Sequence, residues 1–342
     1  MIDFALSRAG TPAQASQQAA SAKTAQQGAQ VRYVAGGTTL IDLMKLDVET
    51  PTQVIDINRL DLARTERQRD GSLRIGAMVR NADLAHDPDV MRDYPVLSEA
   101  LLSGATGQLR NMATTGGNLL QRTRCVYFRD LAYTECNKRT PGSGCAALSG
   151  PNRTHAILGT SQHCIATHPS DMAVAMMALD ARIHILSAPS GRDVPGTQGE
   201  REVPIGEFYL LPGDTPHLEN VLTPGDLITY VTLPAPLSGA RSHYLKLRDR
   251  ASYEFALASA AVIIQVENGR IRTARIAFGG IGTRPWRSPA AEHALEGKPA
   301  HETTFRAAAD AALRDAKPQR DNGFKVELAK RCLVRALTTV TT

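Results

Sequence analysis

Four cysteines, Cys125, Cys136, Cys145 and Cys164, crowd into a short stretch of a 342-residue chain whose fifth cysteine, Cys332, lies far downstream. Their separations of 11, 9 and 19 residues contain no C-x-x-C pair. The surrounding segment, residues 122 to 168, is rich in Gly, Pro, Asn and Arg and has no periodic apolar pattern, so it reads as a long loop insertion. A loop of that length inside a compact domain requires a function or a clamp. Two disulfides, a structural zinc ion or an iron-sulfur cluster could each supply the clamp. Zinc sites usually draw their ligands in close pairs, and disulfide frameworks concentrate in small secreted domains that lack a core. Iron-sulfur ligation tolerates irregular loops, because the cluster organises the chain around it. On spacing alone the iron-sulfur reading leads and the other two stay open.

The rest of the chain sets the frame. At 42% apolar and 21% charged residues it can bury a sizeable core in two or three domains. Thirty-nine basic against thirty-four acidic residues give a dispersed net charge of +5, and no basic tract interleaved with aromatics argues for nucleic acid. No apolar run approaches the about 18 residues that would insert into a membrane. The start, Met1 to Arg8, lacks the basic and apolar regions of a secretory signal, so no signal peptide is expected.

Periodicity predicts strands at 31–34, 54–57, 72–76, 182–186 and 227–233, and helices at 40–46, 81–85, 95–102 and 171–179. Segments 258–266 and 271–278 read as strand or helix, and 290–295, 305–313 and 324–337 as helices. Cys332, on the last of these, reads as a small core residue. The Pro-rich joint from Pro234 to Gly239 is the best domain boundary. The class is mixed α+β.

Two glycine segments carry the binding chemistry. Val34, Ala35, Gly36, Gly37, Thr38, Thr39 and Leu40 follow a strand and open a helix, where bare backbone N–H groups can approach a diphosphate. The motif is neither G-x-G-x-x-G nor a Walker loop. A second turn, Thr114, Thr115, Gly116, Gly117 and Asn118, stands just before the cysteine loop, and two such loops could grip one diphosphate from both sides. Asp171 reads equally as a helix cap or as an acceptor for a ribose hydroxyl.

With these residues in view, the chain resembles, nearly end to end, the FAD-binding subunit of the molybdenum hydroxylases, the xanthine dehydrogenase and carbon monoxide dehydrogenase family. Within it the chain is most similar to the flavin subunit of bacterial periplasmic aldehyde oxidoreductases. The matching pieces are Ala35-Gly-Gly-Thr38 with Asp42 to Lys45, Gly76-Ala77, Gln108 to Asn111, Thr114 to Asn118, Thr167 to Asp171, Lys246, Arg248 to Tyr253, Gly279-Gly280 and Pro285-Trp286. The four-cysteine loop matches only that branch.

The resemblance implies a two-lobed FAD-binding domain of the vanillyl-alcohol-oxidase (PCMH) type over 1–234, with lobes of about 1–60 and 61–234. A C-terminal α+β domain of the carbon monoxide dehydrogenase flavoprotein type would follow over 238–342. It places Val34 to Leu40 on the FAD pyrophosphate, Thr114 to Asn118 as a second wall, and Asp171 by the ADP part. Lys246 would reach the flavin ring region, with Leu218 an apolar residue against the ring.

Cys125, Cys136, Cys145 and Cys164 would hold one 4Fe-4S cluster. Implied partners are a large subunit bearing the molybdenum cofactor, a small subunit with 2Fe-2S clusters, and an external acceptor, whether ferredoxin, quinone or oxygen. Periplasmic location would follow from co-export with a signal-bearing partner, the cytoplasm being the alternative. Arg122, Arg124, Arg129, Lys138, Arg139 and Arg153 read either as a solvated face or as a positive rim around the cysteines, and His155, His163 and His168 as loop histidines. Other classes left open are a zinc-stabilised binding module and a self-sufficient flavin oxidase.

Overall fold

The computed structural model describes residues 1–188 and 199–342. Short strands and polar turns build a first sheet from β1 (Ala5–Arg8), α1 (Pro12–Ala19), β2 (Val31–Val34), α2 (Leu40–Lys45) and β3 (Gln53–Asp56). β3 is central and parallel to both neighbours, with Val54 opposite Leu6 on one side and Arg32 on the other. Parallel neighbours need crossovers, which α1 and α2 supply. Thr11 starts α1 by accepting from the Gln14 amide, and Pro12 sits in the first turn, where its missing N–H costs nothing.

The second sheet begins with β4 (Thr65–Arg67) and β5 (Leu73–Gly76). Short helices α3 (Asn81–His86), α4 (Pro88–Asp93), α5 (Pro95–Ser103), α6 (Gly107–Met112) and α7 (Thr115–Leu119) follow, and then the cysteine loop with its single turn α8 (Val126–Arg129). The chain returns through α9 (Asp171–Ala178), β6 (Arg182–Ser187), β7 (Gly199–Pro204), α10 (Ile205–Phe208) and β8 (Leu227–Leu233). The strands pair antiparallel in the order β4-β5-β8-β6-β7. Every residue of α9 is buried, so this Ala- and Met-rich helix has no polar stripe and is enclosed on all sides.

Beyond Pro234 come β9 (Arg241–Leu247), β10 (Ala258–Glu267), β11 (Arg270–Gly279), β12 (Trp286–Arg287), α11 (Pro289–Leu295), α12 (Glu302–Ala312) and α13 (Phe324–Thr341). The sheet order is β12-β11-β10-β9. Both faces of β10 are covered. Ala258, Ala260, Val262 and Ile264 pack with the three C-terminal helices, while Ala261 and Ile263 enter the same core as α9 and the second sheet. That burial makes β10 a continuous apolar run, which periodicity alone cannot tell from a buried helix.

Candidate cofactor cleft and cysteine loop

The turn from β2 into α2 is shaped by its two glycines. Gly37 has φ +71°, a conformation that side chains of L-residues rarely adopt. At Gly36 an added Cβ would lie 1.8 Å from the Met112 carbonyl oxygen, so this glycine lets two chain segments touch. Among the described residues, no protein acceptor takes the amides of Gly36, Gly37, Thr38, Thr39 or Leu40. Unpaired backbone donors are costly away from water, and a run of them around a left-handed glycine is a concave anion site. These five residues line a cleft together with Tyr33, Ala35, Thr114, Gly117 and Arg122. The donor set fits the diphosphate of a dinucleotide.

The second glycine segment differs from the open turn expected of it. It is the one-turn helix α7, capped by Thr114, whose Oγ1 accepts from the Gly117 amide at 3.2 Å. The amides of Thr115, Gly116 and Asn118 donate to Val79, Ala77 and Thr114 carbonyls at 2.8 to 2.9 Å. Its backbone donors are therefore occupied, and it contributes a wall while the first loop contributes the amides. The Asn118 side chain is likewise engaged, accepting from Ser170 Oγ and Gln121 Nε2, each at 2.6 Å.

Asp171 and Lys246, expected at different parts of FAD, form one ion pair of 2.7 Å. The Tyr244 hydroxyl donates to the other Asp171 oxygen at 2.6 Å and lies 2.9 Å from Ser259 Oγ. Burial and the Asp171 charge push the Tyr244 phenol well above its ordinary range. The helix cap is Ser170, not Asp171. Asp171 thus joins α9 to β9, and with Lys246 it marks one end of a second cleft sharing Thr38, Thr39 and Gly117 with the first. Leu218 lines a separate gap with Lys138, His168 and Tyr209, one residue from Glu219, which faces both spaces.

A buried ladder of alternating charge leads from the first cleft to the cysteine loop. Arg32 binds Glu49 at 2.9 Å, Glu49 also binds Arg122, Arg122 binds Glu219 at 2.7 Å, and Glu219 binds Lys138 at 2.8 Å. Burial alone would raise the Glu219 carboxyl, but Arg122 and Lys138 outweigh it and hold the group at about 2. Burial would also lower Lys138, which Glu219 instead holds above its ordinary value.

This overturns the picture of a free positive rim. Arg124 and Arg129 are both spent on Asp42, Arg139 clamps the Tyr127 and Phe128 carbonyls at 2.9 Å, and Arg153 pairs with Asp249.

All four loop cysteines are free of disulfides. Cys136 and Cys145 stand opposite one another in a β-bridge. Burial pushes the Cys125 thiol up to about 12, with the Cys164 and Cys136 charges adding to it. Cys145 and Cys164 are raised by burial too, and Cys136 adds to both. Among the described residues no three His, Cys, Asp or Glu side chains come close enough to hold a single metal ion. Four free thiols on one loop are the type of donor set that an iron-sulfur cluster takes.

His155 is buried and His168 half-buried, and both rings are neutral, pushed down to about 4 chiefly by burial. The loop's far end is bolted to the C-terminal helix, for the Lys325 ammonium donates to the carbonyls of Thr154, His155 and Gly280 at 2.8, 3.0 and 2.7 Å. Lys325→Met would strand the buried Gly280 carbonyl, since the His155 carbonyl keeps Asn322 Nδ2 and Thr154 is exposed. It is expected to lower unfolding stability by about 1 to 3 kcal/mol, measured by urea denaturation.

A cleft of open amides at a strand-turn-helix, in a two-lobed α+β body with an appended four-stranded domain, defines a flavin-nucleotide-binding protein. Residues 4–236 match the FAD binding domain in molybdopterin dehydrogenase, and residues 243–340 match the CO dehydrogenase flavoprotein C-terminal domain. The chain belongs to the family of FAD-binding subunits of the molybdenum hydroxylases, and is an oxidoreductase subunit of that α+β fold.

It is 51% identical to the aldehyde oxidoreductase FAD-binding subunit PaoB of Escherichia coli (strain K12), over 98% of each chain. It is 28% identical to the carbon monoxide dehydrogenase medium chain of Hydrogenophaga pseudoflava, over 91% of this chain and 90% of that one. A solved carbon monoxide dehydrogenase from Hydrogenophaga pseudoflava superposes with a TM-score of 0.75 at 25% identity, covering 100% of this chain and 99% of that one.

Proposed function

We propose that this chain is the FAD- and 4Fe-4S-binding electron-transfer subunit of a heterotrimeric, molybdenum-containing aldehyde oxidoreductase. It would work beside a large subunit that carries the molybdenum cofactor and oxidises the aldehyde, and a small subunit with 2Fe-2S clusters. Its task is to pass their electrons to an external acceptor, whether ferredoxin, quinone or oxygen. The observation that carries the reading is a loop of four disulfide-free cysteines, Cys136 and Cys145 facing across a β-bridge, joined through Lys138 to a buried ion ladder that reaches the glycine cleft. The aldehyde and the partner set rest on likeness to the Escherichia coli subunit.

Bound FAD exchanges electrons singly or in pairs, and a four-iron cluster singly, which is the chemistry a relay needs. The chain's own residues contribute placement. The amides of Gly36 to Leu40 receive the diphosphate in a fixed orientation, and Leu40, Leu43 and Ile57 give the cleft an apolar floor. Cys125, Cys136, Cys145 and Cys164 are the iron ligands, and the Lys138 charge favours thiolate at Cys164 against the effect of burial. No proton abstraction from substrate falls to this chain.

Iron, molybdenum and FAD analysis of the purified complex tests the reading. Cys136→Ser is expected to lose the irons of one 4Fe-4S cluster while FAD and the 2Fe-2S signals remain; undiminished iron would remove Cys136 from the ligand set. We place the complex in the periplasm, reached in company with a signal-bearing partner. Recovery of the assembled complex from the cytoplasm alone would defeat that placement.

A further inference from the structure

We propose that His155 donates an N–H···S hydrogen bond to the Cys125 thiolate and thereby raises the reduction potential of the cluster; this rests on the 4Fe-4S reading above. His155 Nε2 lies 3.1 Å from Cys125 Sγ, and the residue is 3% exposed. An iron-bound thiolate carries no proton and can only accept, so the hydrogen must sit on Nε2. The other ring nitrogen, Nδ1, is buried without a partner. A doubly protonated ring would strand an N–H there, so a single proton on Nε2 is the form the pocket suits.

The ring is held from outside the loop. The His155 carbonyl accepts from Lys325 Nζ at 3.0 Å and from Asn322 Nδ2 at 3.2 Å, and its amide donates to the Asn152 carbonyl at 3.1 Å. Asn152 is tied in turn to Asp321, each receiving the other's backbone N–H, at 3.2 and 3.0 Å. The donor is thus aimed before any cluster is present.

Main-chain amides of Ala147 and Ile165 reach Cys145, and that of Ala166 reaches Cys164. Cys125 has a side-chain donor in addition, one that substitution can remove without cutting the backbone. Reduction places more negative charge on the ligand sulfurs, so a hydrogen bond to sulfur stabilises the reduced form more than the oxidised one. The low dielectric of a buried site strengthens that preference.

The test is an anaerobic redox titration of the cluster, followed by EPR, in the assembled complex carrying His155→Phe or His155→Gln. Iron and FAD contents are counted first. With the irons retained, His155→Phe is expected to lower the ratio of reduced to oxidised cluster about tenfold at a fixed solution potential, equivalent to about 59 mV for a one-electron couple. His155→Gln, whose amide can still donate, should recover part of the loss. An unchanged potential in a fully loaded His155→Phe complex overturns the proposal.

If His155→Phe fails to load iron, wild-type complex made with histidine isotope-labelled at Nε2 decides the matter. Pulsed EPR of the reduced cluster should then detect a histidine nitrogen coupling, and its absence overturns the proposal. Wild-type complex lacking the cluster irons overturns the reading beneath it, an outcome the iron count separates from the others.

Discussion

Glu219→Gln is expected to destabilise the chain by about 3 kcal/mol and to loosen the cysteine loop. The substitution keeps size and shape and removes only charge. Breaking a buried ion pair by neutralising one partner costs about 3 to 5 kcal/mol, because the remaining charge is stranded. Arg122 keeps Glu49, and Glu219 retains 23% side-chain exposure, so the lower figure applies. Most of the loss falls on Lys138, which keeps the Pro216 carbonyl at 2.9 Å but no longer faces a carboxylate.

The same ion pairs set a pH dependence. A carboxyl lowered from 4.5 to about 2 adds stability that is fully present above pH 4.5 and drains as pH falls toward 2. The depression itself corresponds to about 3 kcal/mol. Urea denaturation of wild type and variant should therefore differ most near neutrality and converge as the buffer is taken from about pH 5 to about pH 3. A difference that stays constant over that range would show that the charge on Glu219 is not what holds Lys138.

Gly36→Ala is expected to abolish FAD retention. The new Cβ would meet the Met112 oxygen at 1.8 Å and its carbon at 2.6 Å, both backbone atoms that no rotamer change can move. Relief requires the loop to shift by more than about 1 Å, and a displacement of that size takes hydrogen-bonding groups out of productive geometry. FAD affinity should fall at least about a hundredfold, corresponding to about 2.7 kcal/mol, read from the flavin absorbance of the purified protein. Gly107→Ala is the control. Nothing lies within 4 Å of its added Cβ, and the site is in α6, where Ala is the better helix former. It should retain full flavin.

The features that sequence made legible are the local ones. Val31 to Leu46 shows its strand, glycine turn and helix in order, because each signal lies within a few residues of the next. The crowding of the four cysteines along the chain is legible because it lies within one loop. Thr114 to Asn118 misled: its two glycines look like an open turn, yet Gly116 is small because it packs on Ala77, where an added Cβ would stand 3.1 Å from the Ala77 Cβ.

The loop cations misled for another reason, since their partners are remote. Glu49 and Glu219 lie 73 and 97 residues from Arg122, and no local pattern announces such a pairing. Tyr244 was invisible in the same way. It appears as one aromatic in a strand, and only the fold brings α9 and Asp171 beneath it.

The fastening of the cysteine loop also orders events during the life of the polypeptide. Residues 152 to 157 are tied down by Lys317, Asp321, Asn322 and Lys325, all near the carboxyl end. A ribosome that has already delivered all four cysteines has not yet made the residues that secure their pocket. If the cysteines take the proposed cluster, the loop that presents them is not fully secured until the carboxyl end has been made, and a chain truncated before Lys317 would lack all four of these fastenings.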